Sequence, residues 1–263
     1  MADPLGILFL HHHIDDVVRN NLSSILRHNP GATVVTMSAG APFPGGYALD
    51  ATPKIKKLHS ANPRRSSDWL LCSWFAQRQE KCRKWWIAEW DVHCTTSLRD
   101  YYRPVWKFPF VASSVQRPSR EMDWRWFAEA KDIPEKFRAH AMGMVPFVFL
   151  ISDDVLAYIC TTMLETPFFA GNGELRFCTV ANWCGFPPCA YSPPTDYIVC
   201  YIPPRALPKG KGIFHPVKYL VAPRKSLKRL PRVTALNLIN RRRLESSTVV
   251  AQSLLNVRQR TPL

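Results

Sequence analysis

Gly6-Ile7-Leu8-Phe9-Leu10 is an unbroken apolar run, the pattern of a strand buried on both faces. Forward of it, Asp15 to Arg27 sets Val17, Val18, Leu22, Ile25 and Leu26 at helical spacing, and Asn29-Pro30-Gly31 ends that helix. Ala32 to Met37 is rich in β-branched residues and reads as a second strand. Strand, helix and strand in so short a span predict a βαβ unit: two parallel strands joined by a right-handed crossover, the signature of the α/β class.

The same reading carries along the chain. Ser38 to Pro63 is rich in Gly, Pro and Ala without a period and is expected to be a long loop. Asp68 is expected to N-cap a helix that runs to about Arg83, with Trp69, Leu70, Trp74 and Phe75 inward. A strand over Trp85 to Glu89, a short helix near Ser97 to Tyr102 and a strand over Phe108 to Ser113 follow. Trp124 to Lys131 is a Trp-rich amphipathic stretch, Val145 to Ile151 a strand, and Ser152 or Asp153 caps a helix through Met163. Glu174 to Trp183 reads as a last helix, stopped by Gly185 and Pro187. The expected architecture is a mostly parallel central sheet flanked by helices, one domain over residues 1–222, with a basic tail over 223–263.

Composition narrows the class. In 263 residues there are 9 Trp and 14 Phe, far too many for a disordered chain. No apolar run reaches the roughly 18 to 20 residues that span a bilayer. The segment before His11 lacks the cationic start and small-residue cleavage site of a signal peptide. The eight cysteines are scattered through apolar segments with no CxxC pair, so they are expected to be reduced, mostly buried thiols in a cytoplasmic protein. The net charge of +15 is concentrated: between Tyr197 and Leu244 there is no Asp or Glu, while 12 Lys and Arg residues fall between Arg205 and Arg243.

Four groups of residues have the chemistry of a site. Glu89 and Asp91, in Trp86-Ile87-Ala88-Glu89-Trp90-Asp91, stand at the carboxyl end of a strand, where open α/β sheets bind ligands. Alternation along an extended chain predicts both carboxylates on one side, as a hard divalent cation requires. Taken alone, the pair also fits contacts with Arg83 and Lys84. His215 and Lys218, in Gly210-Lys211-Gly212-Ile213-Phe214-His215-Pro216-Val217-Lys218, supply a metal-ligating imidazole and a point charge for phosphate, or simply a loop histidine. Glu174, in Asn172-Gly173-Glu174-Leu175-Arg176, opens a helix; it suits a general base and equally a favourable helix-dipole contact or a pair with Arg176. His11, His12 and His13 follow the first strand, and because successive side chains alternate, one of them, His11 or His12, is expected beside a bound nucleotide.

In order, Ile7-Leu8-Phe9-Leu10-His11-His12, Trp86 to Asp91, Gly173-Glu174-Leu175-Arg176-Phe177-Cys178-Thr179 and Ile213 to Lys218 resemble small bacterial glycosyltransferase-like proteins of the GT-A fold, over about residues 5 to 220. The resemblance implies that Asp91, with Glu89 in support, holds Mn²⁺ or Mg²⁺ on the diphosphate of a nucleotide sugar, and that His215 completes the metal shell. It implies further that Lys218 contacts phosphate and that Glu174 is the base or acceptor-binding carboxylate. Beside it, His11, His12 and Arg176 are expected to be cofactor-binding residues, and Asp91 is also counted as catalytic. Where that family usually has Asp-x-Asp this chain has Glu89-Trp90-Asp91, with Trp90 expected to pack beneath the site.

The expected function is metal-dependent transfer of a sugar from a nucleotide-sugar donor to a hydroxyl acceptor. The basic tail, with its interspersed apolar residues, is expected to meet polyanions: an anionic membrane surface peripherally, nucleic acid less readily. The competing function is a polyanion-binding protein, of RNA or an anionic membrane surface, on a catalytically silent GT-A-like scaffold.

Overall fold

The expected βαβ unit is present as β1 (Leu5–His11), α1 (Asp16–His28) and β2 (Thr33–Ser38), with β1 and β2 parallel and paired from Gly6 opposite Thr33 to His11 opposite Ser38. The structure is a computed structural model, which describes residues 5–49, 66–112, 115–117, 133–144, 147–166, 172–191, 198–200 and 210–218. α1 starts where the Asp15 carboxylate accepts the Val18 N–H at 2.9 Å, satisfying one of the free donors of a helix start. It ends at Asn29, whose backbone N–H turns back to the Leu26 carbonyl.

The chain continues through β3 (Tyr47–Ala48), α2 (Ser67–Gln77), β4 (Lys84–Glu89), β5 (His93–Cys94), α3 (Leu98–Tyr101), β6 (Phe110–Ala112) and β7 (Val115–Gln116). It then forms α4 (Glu135–Arg138), β8 (Gly143–Met144), β9 (Phe149–Ser152), α5 (Asp153–Glu165), α6 (Gly173–Trp183), β10 (Cys189–Ala190), β11 (Ile198–Cys200) and β12 (Gly212–Phe214). The central sheet has seven strands in the order β10-β6-β9-β4-β1-β2-β3. β9 alone runs against the others, antiparallel to both β4 and β6. A three-stranded sheet, β11-β12-β5, and a pair, β7-β8, lie outside it.

Both faces of the central sheet are covered, and the strands divide their side chains accordingly. Leu8 and Leu10 of β1 and Trp85 and Ile87 of β4 join one cluster with Trp69 and Leu71 of α2, Leu156 and Ile159 of α5, and Leu175 and Phe177 of α6. The alternate residues, Leu5, Ile7 and Phe9 of β1 and Trp86 and Ala88 of β4, join a second cluster with Val18 and Ile25 of α1, Cys94 of β5, Leu98 and Tyr101 of α3 and Ile213 of β12. A continuous apolar run is what a strand buried on both sides requires.

Gly6 is fixed by this packing. A Cβ there would lie 2.3 Å from the Trp85 ring, and that ring is fully buried, with its indole N–H donated to Asp153 Oδ1 at 2.7 Å. Gly6→Ala is therefore expected to lower stability by about 1–3 kcal/mol through overpacking, read as a lower urea midpoint at unchanged slope.

Three expectations are corrected. Asp68 does not cap α2: the cap position is Ser66, and Asp68 lies within the first turn with its side chain in the interior. α2 stops at Gln77 rather than near Arg83, because Arg78 takes extended backbone and its guanidinium pairs with Asp153 across the start of α5. The strand expected over Val145 to Ile151 is displaced to Phe149–Ser152. The Trp124 to Lys131 stretch, residues 50–63 of the expected long loop, and nearly all of the basic segment, including Arg205 and 223–263, lie outside the described residues. Cys72, Cys82, Cys94, Cys160, Cys178, Cys184 and Cys189 are free thiols, the first five of them buried. No helix among the described residues is long and apolar enough to cross a membrane.

Candidate cation and ligand site

The chain leaves β1 for β2 and β3 on one side and later returns to β4 on the other side of β1, so the order reverses between β1 and β4. In open α/β sheets the crevice beyond the carboxyl ends of strands at such a reversal is where ligands bind. Glu89 is the last residue of β4, opposite Leu10 in register, and the histidine triplet begins one residue further along β1.

Glu89 and Asp91 do come together, by a route other than strand alternation. β4 ends at Glu89 and the chain turns at once, with the Val92 N–H donated to the Glu89 carbonyl at 3.1 Å. β5 then pairs antiparallel with β12, His93 opposite Phe214, and the residue after β12 is His215. The Val217 N–H donates to the Asp91 carbonyl at 2.7 Å. The small sheet thus delivers a residue from late in the chain to the end of β4.

His215 Nε2 stands 3.2 Å from Asp91 Oδ1 and 4.0 Å from Glu89 Oε2, and Lys218 Nζ stands 3.5 Å from Asp91 Oδ2. One donor atom from each of Glu89, Asp91 and His215 lies within 4.8 Å of the others. Asp91 Oδ1 and His215 Nδ1 are buried without an aligned hydrogen-bond partner. Two carboxylates and an imidazole with an unsatisfied carboxylate oxygen are a donor set that fits Mn²⁺, and Mg²⁺ with fewer protein oxygens. The Ser67 hydroxyl, at the start of α2, donates to Glu89 Oε1 and orients that carboxylate.

Glu89, Asp91 and His215 set one another's charge. Burial, reinforced by the Asp91 charge and by Glu174, pushes the Glu89 carboxyl up to about 8 against the pull of His215. Burial also opposes the charge on Asp91, but His215 and Lys218 more than reverse it and hold Asp91 below the usual carboxylate range. For His215, burial is likewise outweighed by Asp91 and Glu89, and its pKa lies above that of an ordinary histidine. Without a cation the surroundings therefore favour a proton on Glu89 and on His215 and the charged form of Asp91.

A cation has to displace the Glu89 proton and, where His215 is protonated, that proton as well. Mn²⁺ affinity is accordingly expected to rise by about tenfold or more per pH unit below the Glu89 titration, at about 8, and to level off once both groups have lost their protons. Calorimetric titration across that range checks this, and Glu89→Gln is expected to make the profile shallower by one proton.

The remaining candidates fall at different distances from this centre. Glu174 lies in the first turn of α6, its backbone N–H held by the Asn172 side chain at 2.8 Å, and its charge is felt at Glu89. His12 and His13 meet the Trp90 ring edge-on, with centroids 5.2 and 4.7 Å apart, and Lys218 Nζ lies 5.7 Å from the same ring. Trp90 therefore packs toward the β1 end and the lysine. His11 is buried against Phe43 with its Nδ1 3.2 Å from the His13 carbonyl; burial lowers its pKa. Arg176 is in the interior, where its Nε and Nη2 each donate to a different Asp68 oxygen at 2.8 Å. That fork ties α6 to α2.

Two residues escaped the sequence reading: Ser67, hidden among neighbouring polar residues at a helix start, and Asn21. Asn21 sits on the inward stripe of α1 between Val18 and Ile25, and a polar residue in an apolar stripe was the signal that could have found it.

Fold and site together define an α/β protein with two carboxylates and an imidazole gathered at a strand end, a set that could hold a metal ion. No protein-family model matches the sequence, and no curated protein matches it. Among solved structures the chain is similar to the galactosyltransferase LgtC in complex with donor and acceptor sugar analogues, at 12% identity and a TM-score of 0.38, covering 74% of this chain and 75% of that one. It is similar to an active-site mutant of LgtC at 9% identity and a TM-score of 0.39, with the same coverage.

Proposed function

We propose that the protein transfers a sugar from a nucleotide-sugar donor to a hydroxyl acceptor with the help of Mn²⁺ or Mg²⁺. The observation that supports this most is the convergence of Glu89, Asp91 and His215 at the sheet's reversal point. When bound, the cation neutralises charge developing on the leaving diphosphate.

Asp91, the ionised and most buried of the three, is the principal ligand; Glu89 and His215 complete the donor set once each has given up its proton. Lys218, within reach of Asp91 and 44% exposed at its side chain, adds a positive point charge for phosphate. His12 and Trp90 border the nucleotide side, with His11 buried next to them against Phe43. Glu174 is the carboxylate that takes the proton from the acceptor hydroxyl. Arg176 serves the nucleotide indirectly, by fixing α6 and so Glu174. The basic segment between Arg205 and Arg243 brings the protein to a polyanion, an anionic membrane surface ahead of nucleic acid.

The test is thermal stability across a panel of nucleoside diphosphates with and without Mn²⁺. One diphosphate is expected to raise the midpoint only when Mn²⁺ is present. Equal shifts with and without metal, or none with any diphosphate, would overturn the reading.

A further inference from the structure

We infer that Asn21 is a positioning residue for the cation site, holding together the two chain segments that supply its donors. The inference rests on the reading of Glu89, Asp91 and His215 as cation ligands.

Asn21 is fully buried on α1. Its Nδ2 donates to the Trp90 carbonyl at 3.1 Å and to the Val217 carbonyl at 3.2 Å. The amide orientation follows from chemistry: both neighbours are carbonyl oxygens, which only the nitrogen can face. The Oδ1 lies 3.1 Å from His93 Nδ1, so that nitrogen carries the proton and donates it. His93 Nε2 lies 3.3 Å from Ser24 Oγ, whose one proton goes to the Cys94 carbonyl. Ser24 and His93 are 5% and 6% exposed.

Serine, histidine and asparagine in this order have the connectivity of a nucleophile, a base and its orienting group. Here the serine proton is committed to a carbonyl and the chain is sealed in the interior, so it serves as scaffolding. Its far end is what matters. The Trp90 carbonyl stands between the two carboxylate ligands in sequence, and the Val217 carbonyl between His215 and Lys218. One amide therefore spans segments that are 69 and 196 residues away from it along the chain. Together with the β5–β12 pairing and the Val217 to Asp91 backbone bond, its two donor contacts hold the spacing between Asp91 and His215. Asn21 touches no ligand atom and acts through those carbonyls.

A role confined to stability would show itself equally in any mutation of the same helix face. Mn²⁺ affinity and thermal midpoint are therefore measured on the full chain for wild type, Asn21→Ala, Asn21→Ser and Ile25→Ala, the last a core truncation one turn away. Asn21→Ala is expected to bind Mn²⁺ about 10- to 100-fold more weakly, while Ile25→Ala keeps wild-type affinity despite its lower midpoint. Asn21→Ser, which retains one donor, is expected to fall between, and it carries the test if Asn21→Ala does not fold. Wild-type affinity in both Asn21 variants, or the same loss in Ile25→Ala, would overturn the positioning role while leaving the cation reading standing. Failure of the wild-type protein itself to bind Mn²⁺ would overturn both.

Discussion

Arg176→Met is expected to destabilise the protein by about 3–5 kcal/mol, the loss typical of stranding one member of a buried ion pair. Arg176 and Asp68 are 2% and 0% exposed at their side chains, so the remaining carboxylate has no route to water. In urea denaturation this appears as a large drop in midpoint at unchanged slope. The double variant Asp68→Leu with Arg176→Met is expected to recover most of the loss, because replacing a whole buried pair by apolar groups is often neutral or better. A double variant as unstable as the single one would mean that the pair's geometry, not charge compensation, sustains this junction. The effect reaches the site as well: Ser67, which orients Glu89, is the neighbour of Asp68 on α2.

Asp91→Ala is expected to abolish the Mn²⁺-dependent stabilisation by nucleoside diphosphate. In the wild-type protein, ligand at a hundredfold excess over its Kd contributes about 2.7 kcal/mol, or roughly 5–10 °C in Tm for a chain of this size. Asp91 is the carboxylate held ionised by His215 and Lys218, so its loss removes the strongest donor, leaves Lys218 without its carboxylate and leaves His215 with Glu89 alone. In the absence of metal, the variant's Tm is expected to fall as well, since both ion pairs of Asp91 are lost. A metal-dependent shift that survives in Asp91→Ala would place the ligand elsewhere on the molecule. A shift that survives in Asp91→Asn but not in Asp91→Ala would mean that the oxygen matters more than its charge.

The parts of the fold that were legible in the sequence are those with a strong period. β1, α1, β2 and β4 were marked by unbroken apolar runs or helical spacing. The short strands, among them β5 and β12, are two or three residues long, too few to express any alternation. Their pairing nevertheless decides that His215 meets Asp91. The site's members were therefore readable as residue types, Glu89, Asp91 and His215, while the means of their convergence was not. Asp68 was misread because Ser66, Ser67 and Asp68 all suit a helix start; which one caps it depends on where the chain enters, and Asp68 is drawn inward by a guanidinium 108 residues away. Asn21 was passed over because the apolar stripe of α1 reads correctly without it.

The seam closed by Asn21 also has an order in time. Its helix is made early, and its last partner, the Val217 carbonyl, lies 196 residues later, about 10–40 s of synthesis at roughly 5–20 residues per second. During that interval the inward amide of α1 can meet the Trp90 carbonyl and His93 but not Val217, and the end of β4 has its carboxylates but not its imidazole. On the proposed reading of the site, its full donor set exists only after the segment through Lys218 has folded back, so a bound ion would report that the chain has closed upon itself.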